Sequence, residues 1–393
     1  MERENLFTIV VPIYNVEQYL RQCLDSLLYQ TVRNHEVILV NDGSKDCSGE
    51  IAKEYAQKYP DSARAREELC RYYYDTQSYK SFLSCADEAR EAGLATEQVR
   101  DWYLEVYYTI RYLATGFEEA QSFLGSVARV KKNGFYGYLT SYGDYLIAPL
   151  FLDASPFMNS TAAVKDKTEW YMINDEGYKV ARTTTPVDGL SFPSGGKILL
   201  QSDGKYGYTG FSLVVPDELP YDFATNFKNG VAAVCRNGKW ALINSDEQFI
   251  TEFVFDDVVV DEYGACINNG VVFAKESGKY YLYSAEGNRI SDQGFDEAYP
   301  FCTGEPAAVR LGSKWKFIDA SGSSALDKEF DEAKSFSMGL APVREGATWG
   351  YINTKGEYRV ERQFQDAKPF TENGVAVVKE NGVWNYIKLL AFY

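Results

Sequence analysis

From residue 128 to residue 388 short runs of alternating apolar and polar residues are separated by turn residues, and one phrase recurs eight times. The copy nearest the carboxyl end reads Val375-Ala-Val-Val-Lys-Glu-Asn381-Gly382-Val-Trp384-Asn-Tyr-Ile387. An alternating run, a two-residue Asn-Gly turn and a second run led by an aromatic residue predict a β-hairpin. The lead aromatics are Tyr136, Trp170, Tyr206, Trp240, Tyr280, Trp315, Trp349 and Trp384, spaced by 34, 36, 34, 40, 35, 34 and 35 residues. A period this regular marks a repeat architecture. One unit cannot bury its aromatic face alone, so neighbours must stack.

The register within the repeat adds detail. Two positions before each lead aromatic stands a turn residue, and four copies carry a pair suited to a type I′ turn: Asn133-Gly134, Asp203-Gly204, Asn237-Gly238 and Asn381-Gly382. A second glycine recurs seven residues after the aromatic, at Gly143, Gly177, Gly287, Gly322 and Gly356. Fifteen residues after it comes another aromatic, at Phe151, Tyr221, Phe255, Phe295, Phe330 and Phe364, four times followed by an acid: Asp222, Asp256, Asp296 and Asp331. Each unit therefore reads as three or four short strands. The motifs Lys239-Trp240-Ala-Leu-Ile-Asn244, Trp349-Gly350-Tyr-Ile-Asn353 and Phe330-Asp-Glu-Ala333 resemble bacterial WG (KWG) repeats. That resemblance implies a β-repeat scaffold with a binding role and no catalytic residue. The second copy departs most, with Trp170-Tyr171 and Pro186-Val187-Asp188. Units of this length are shorter than an ordinary propeller blade of about 40–45 residues. Starting and stopping on the same hairpin favours a closed, propeller-like ring of seven units over an open β-superhelix. Lead aromatics are expected to pack between units.

The chain begins differently. Leu6–Val11 is a continuous apolar run of the kind buried in a parallel sheet, and Pro12 stops it. Asn15 can cap a helix carrying Tyr19, Leu20, Cys23, Leu24, Leu27 and Leu28. A second strand over 36–40 leads into the loop Asn41-Asp42-Gly43-Ser44, and a second helix runs from Ser48 to Tyr59. The segments Val10-Val-Pro12-Ile-Tyr14-Asn15 and Val40-Asn-Asp42-Gly43-Ser44-Lys-Asp46 resemble the opening of family 2 glycosyltransferases of the GT-A fold. The resemblance implies that Pro12, Tyr14, Asn15, Asp42, Gly43 and Ser44 flank the base and ribose of a nucleotide sugar, such as a UDP-sugar. A carboxylate at a strand-end crevice suits that task. The family's usual continuation, with more strands, a metal-binding Asp-x-Asp element and a later catalytic acid, does not follow. Residues 61–128 instead read as four helices: one ending in Tyr72-Tyr-Tyr74, one from Ser78 to Ala92 stopped by Gly93, a long one capped by Thr96 and ending near Gly116, and a last one over 117–127. Their pairing is weakly tetratricopeptide-like.

The expected organisation is therefore multidomain α+β. A partial GT-A fragment occupies 1–60, an α-helical segment 61–128, and a β-repeat domain of seven to eight units 129–393. The formal charge of −16 argues against nucleic acid and against an anionic membrane surface. No run reaches the roughly 18 apolar residues of a membrane span, which predicts no membrane insertion. Seven cysteines without a Cys-x-x-Cys pair read as free thiols in a cytoplasmic protein. Cys47, near a helix start, is a candidate for a lowered pKa. The single histidine, His35, sits at an expected exposed turn with no second ligand near in sequence. No metal site and no cofactor are expected; Mg²⁺ or Mn²⁺ enters only if the chain transfers sugar. The function these observations favour is a non-catalytic binding or scaffold protein, with a protein or glycan ligand on the repeat surface and a relic nucleotide-sugar fragment. The alternative is a family 2 transferase whose active site is completed by a partner.

Overall fold

The computed structural model describes residues 7–31, 35–58, 63–302 and 304–392. They fall into two units, 1–109 and 110–392.

In the first unit, β1 (Phe7–Ile13), α1 (Glu17–Leu28), β2 (His35–Asn41) and α2 (Ser48–Lys58) follow the expected order. The two strands pair in parallel, Phe7 opposite His35 and Ile13 opposite Asn41. Ile13, Leu20, Leu24, Ile51 and Ala52 form the core between sheet and helices. Three helices follow: α3 (Ala63–Asp75), α4 (Tyr79–Glu91) and α5 (Glu97–Tyr108). Gly93, at φ +70°, ends α4 as expected. Thr96 caps α5, its side chain accepting from the Val99 N–H. Two helix expectations are overturned. The third helix stops at Tyr108 rather than near Gly116, and no helix forms over 117–127. Ile110–Phe117 is instead a strand, β3, and Glu119–Ala120 another. The all-β unit thus starts some 18 residues before the expected boundary at 128.

The second unit is an eight-bladed β-propeller of three- and four-stranded antiparallel sheets, one for each lead aromatic. Blade 1 comprises Glu119–Ala120, Val127–Lys132, Phe135–Thr140 and Tyr145–Phe151. Blade 8 comprises Asp366–Ala367, Val375–Glu380 and Val383–Leu389, and takes β3 as its fourth strand. The expected seven-unit ring is one blade short because the eighth copy takes its fourth strand from outside its own repeat. The start of the unit supplies it. In blades 1, 6 and 7 the lead aromatic pairs with the aromatic fifteen residues on, as Tyr136 with Phe151 and Trp349 with Phe364. In blade 8 Trp384 pairs with Phe117. The segment Phe117-Glu-Glu-Ala120 is thus the displaced counterpart of Phe330-Asp-Glu-Ala333. Phe117, Ala120, Phe123, Val130, Val377 and Tyr386 share one core across blades 8 and 1, which closes the ring.

Local geometry explains the repeated letters. All four predicted turn pairs have positive φ at both residues, for example Asn237 (52°) and Gly238 (74°). The glycine of the Trp349-Gly350 pair sits at a bulge, where a Cβ would lie 2.7 Å from the Val360 carbonyl oxygen. The recurrent Lys and Asp join neighbouring blades. Lys205 donates to Asp222 at 2.5 Å, Lys239 to Asp256 at 2.6 Å, Lys279 to Asp296, and Lys314 to Asp331 at 2.6 Å. The second oxygen of Asp222, Asp296 and Asp331 accepts a turn N–H of the next blade, from Asn237, Gly312 and Gly346. Asp188 in the divergent second copy does the same for Asp203.

Candidate functional site

In the first unit, parallel pairing sets the carboxyl ends of both strands side by side, and the Asp42 N–H donates to the Ile13 carbonyl at 2.9 Å. The two loops that follow are stitched together. The Asn15 N–H donates to Ser44 Oγ (3.1 Å), the Lys45 N–H to Asn15 Oδ1 (2.8 Å), and the Ser44 N–H to Asn41 Oδ1 (3.1 Å). Asn15 does not cap α1. It adopts φ 50° and uses its side chain to hold the opposite loop, while Val16 takes the cap position with no side-chain cap bond. The first turn of α1 is satisfied across the crevice instead. The Val16 N–H donates to Ser48 Oγ and the Glu17 N–H to Asp46 Oδ2, while Glu17 Oε2 accepts the Cys47 N–H. Pro12, Tyr14, Asp42 and Gly43 are exposed at this rim, and Ser44 is half-buried. Asn15, Ser44 and Asn41 are therefore brought into one network, with Asp42 and Tyr14 beside it.

Two further expectations change here. Cys47 is held above the usual thiol range, because Glu17 lies against it and Glu50 and Asp46 add negative charge. His35 is half-buried at the start of β2, its Nε2 3.1 Å from the Leu27 carbonyl oxygen.

In the propeller, Trp170, Trp315 and Trp349 are buried and the other five lead aromatics are half-buried. Trp170 reaches the next blade, its Nε1–H donating to the Asp188 carbonyl at 2.8 Å. A cavity of about 280 Å³ opens at the seam of blades 8 and 1, lined by Glu119, Gln121, Arg129, Tyr136, Lys368 and Trp384, with Glu262 from blade 5. The neighbouring seam explains it. There Lys334 lies over Trp349 and donates to Asp366 Oδ1 (2.6 Å) and the Ala367 carbonyl (2.8 Å). At the closing seam Lys368 lies over Trp384 and donates to the Ala120 carbonyl (2.9 Å), the matching partner. The matching acid, Glu119, is turned away, held by Lys131 (2.9 Å) and the Tyr136 hydroxyl (2.8 Å). Burial alone would raise the Glu119 pKa, but those two hydrogen bonds bring it below the ordinary value.

Lys368 finds its acid elsewhere, in Glu262 at 2.9 Å. Glu262 sits in the insertion that makes the spacing from Trp240 to Tyr280 the longest of the seven, at 40 residues. This insertion is a strap across the ring. The Gln121 side chain donates to the Glu262 carbonyl (2.9 Å), and the Tyr263 hydroxyl donates to the carbonyls of Ser122 (3.2 Å) and Phe123 (3.1 Å). Its base is held in blade 4, where the Asn226 side chain donates to the Tyr263 carbonyl and Lys228 to Asp261. Sequence periodicity located the insertion but not its reach, which depends on blade 5 facing blade 1 in a ring of eight.

Comparison with known proteins divides the chain in the same way. Residues 8–72 match the model described as Glycosyl transferase family 2, and residues 220–240, 317–348 and 349–384 match WG containing repeat. The chain is 56% identical over 54 residues to Glycosyltransferase GlyA of Streptococcus pneumoniae serotype 4, a stretch that is 14% of this chain and 8% of that protein. It is 57% identical over 53 residues to the uncharacterized glycosyltransferase EpsJ of Bacillus subtilis, covering 14% of this chain and 15% of EpsJ. The chain thus spans less than a sixth of the length of these curated relatives. Among solved structures, KlHsv2 with loop 6CD replaced by a Gly-Ser linker aligns at a TM-score of 0.41 and 11% identity, over 72% of this chain and 100% of that one. Among the described residues, no helix is long and apolar enough to cross a membrane.

Proposed function

We propose that this protein is a non-catalytic binding protein whose WG-repeat propeller presents a ligand surface, with the family 2 opening retained as a nucleotide-sugar-binding relic. The observation that carries this reading is how the chain continues beyond the strand-end crevice. Two parallel strands supply the loops with Asn15, Asp42 and Ser44, and the chain then continues into α3, α4 and α5 rather than into further strands of the sheet. In family 2 enzymes, later strands are what bring a metal-binding acid pair and a catalytic acid to such a crevice. Among the described residues no three His, Cys, Asp or Glu side chains are grouped to hold a metal ion. The propeller carries a cavity at its closing seam, where paired acids and bases beside two aromatic rings suit a polar protein segment or a glycan. The protein acts in the cytoplasm in this reading.

A second reading keeps the transferase, with a partner chain completing the domain. The intact loop network between Asn15, Ser44 and Asn41 favours it. A thermal-shift titration with UDP and UDP-sugars, with and without Mn²⁺, combined with a transfer assay, separates the readings. Stabilisation lost in Asp42→Ala without turnover supports the relic. Turnover by the isolated chain would overturn the non-catalytic proposal.

A further inference from the structure

We propose that Cys70 and Cys85 form a reversible disulfide that staples α3 to α4. The two sulfurs lie 3.2 Å apart, on consecutive helices, with Cys70 fully buried and Cys85 5% exposed. Bond formation needs an approach of only about 1.2 Å to reach the roughly 2.05 Å of a disulfide. The surroundings favour a nucleophilic sulfur at Cys85. The Cys70 thiol hydrogen-bonds to it and the Arg66 guanidinium lies beside it; together these outweigh burial and hold Cys85 below the usual thiol range, while Cys70 is pushed well above it. Arg66 is itself braced by Glu88 at 2.9 Å. Cys85 is thus the readier of the two to ionise and attack, and Cys70 serves as the resolving thiol. Cys23 and Cys47 are exposed, and Cys47 is held above the usual thiol range by Glu17.

The oxidant is a small peroxide. The Cys85 thiolate attacks one peroxide oxygen, the O–O bond breaks, and a sulfenic acid forms as hydroxide leaves and takes up the proton that the Cys85 thiol released, giving the first water. Cys70 then attacks that sulfur, its proton leaving with the displaced hydroxyl as water. In sum, two thiols lose two hydrogens and hydrogen peroxide becomes two waters. A dithiol reductant reverses the step by exchange. Because α3 packs against β2, whose carboxyl end carries Asp42, the staple fixes a helix that supports the strand-end crevice.

The test uses the full chain, reduced, freed of reductant, treated with equimolar hydrogen peroxide under native conditions and quenched with an alkylating agent. Trypsin cuts after Arg66, Arg71, Lys80 and Arg90, so the bridge would join peptide 67–71 to peptide 81–90. The expected result is that linked pair, a loss of two alkylatable thiols from seven, and recovery with dithiothreitol. Cys70→Ser should leave a sulfenic acid at Cys85 that a dimedone probe labels, and Arg66→Gln should slow its formation severalfold. Seven thiols remaining, or oxidation confined to Cys23 and Cys47, would overturn the proposal. So would labelling of Cys70→Ser at no greater rate than at Cys23.

Discussion

Four buried tyrosines, each two residues after a lead aromatic, repeat one interaction. Tyr138 donates to the Ser155 carbonyl, Tyr208 to that of Thr225 and Tyr351 to that of Lys368, each seventeen residues on and each at 2.8 Å. Tyr386 turns instead to the start of the unit and donates to the Gln121 carbonyl of blade 1 at 2.7 Å. Its hydroxyl therefore marks the closed seam. Tyr386→Phe leaves that buried carbonyl without its partner and should destabilise the propeller by about 1–3 kcal/mol in chemical denaturation. Acid tests a different set. Asp222, Asp256, Asp296 and Asp331 are held below the ordinary carboxylate value, chiefly by their lysine partners. Folded pKa values lower than unfolded ones contribute stability that is present above the unfolded value, and it is lost as pH falls through the folded value. The melting temperature should therefore fall as pH drops below about 4. Replacing all four by Asn should flatten that slope, and an unchanged slope would place the acid sensitivity elsewhere. How much of each site residue was legible follows from its kind. The aspartates and turn glycines stand in register and could be read. Asn15 as a cross-loop clamp could not, because its partner lies thirty residues away.

Among elements, β3 carries the largest correction. Residues 110–127 hold helix-forming Glu, Ala, Gln and Leu, and local preference reads them as helix. Pairing with Val383–Leu389 and burial of Phe117 against the closing seam outweigh that preference. The usable signal was Phe117-Glu-Glu-Ala120, a copy of the Phe-Asp-Glu-Ala phrase standing before the first hairpin instead of after the last. The difference has a direct consequence for fragments. A chain of residues 110–393 keeps the fourth strand of blade 8 and should unfold in one cooperative transition. A chain of residues 129–393 loses it and leaves Val383–Leu389 as an open edge. In the second fragment, hydrogen exchange should rise at those amides of 383–389 that face β3, and unfolding should be broad. Equal protection in the two would mean that β3 is dispensable. Within the longer fragment, Phe117→Ala should cost about 3–5 kcal/mol, since the ring is buried against both end blades.

At the scale of the whole propeller, the strap sets one seam apart from the other seven. Covalent continuity does not cross from blade 8 to blade 1 except through β3, and the strap adds bonds from blade 5 to both sides of that gap. Tyr263 is half-buried there, and desolvation with the adjacent Glu262 raises its hydroxyl well above its ordinary pKa, so it remains a donor. Tyr263→Ala should lower stability and increase hydrogen exchange at 119–123 more than at the matching segment that opens blade 7, residues 332–336. A uniform change around the ring would show that the strap does not act on the seam. The period of about 35 residues, the hairpin turns, the recurrent acids after the second aromatic and the division between an α/β opening and a β-repeat region were all determined by the sequence, because each rests on local spacing or on a constant offset. The eighth blade, the closing role of Phe117, the reach of the strap and the cavity beneath it were decided only by the tertiary structure. Each joins residues roughly 100 to 270 positions apart, and such contacts exist only after ring curvature has brought the two ends of the propeller together.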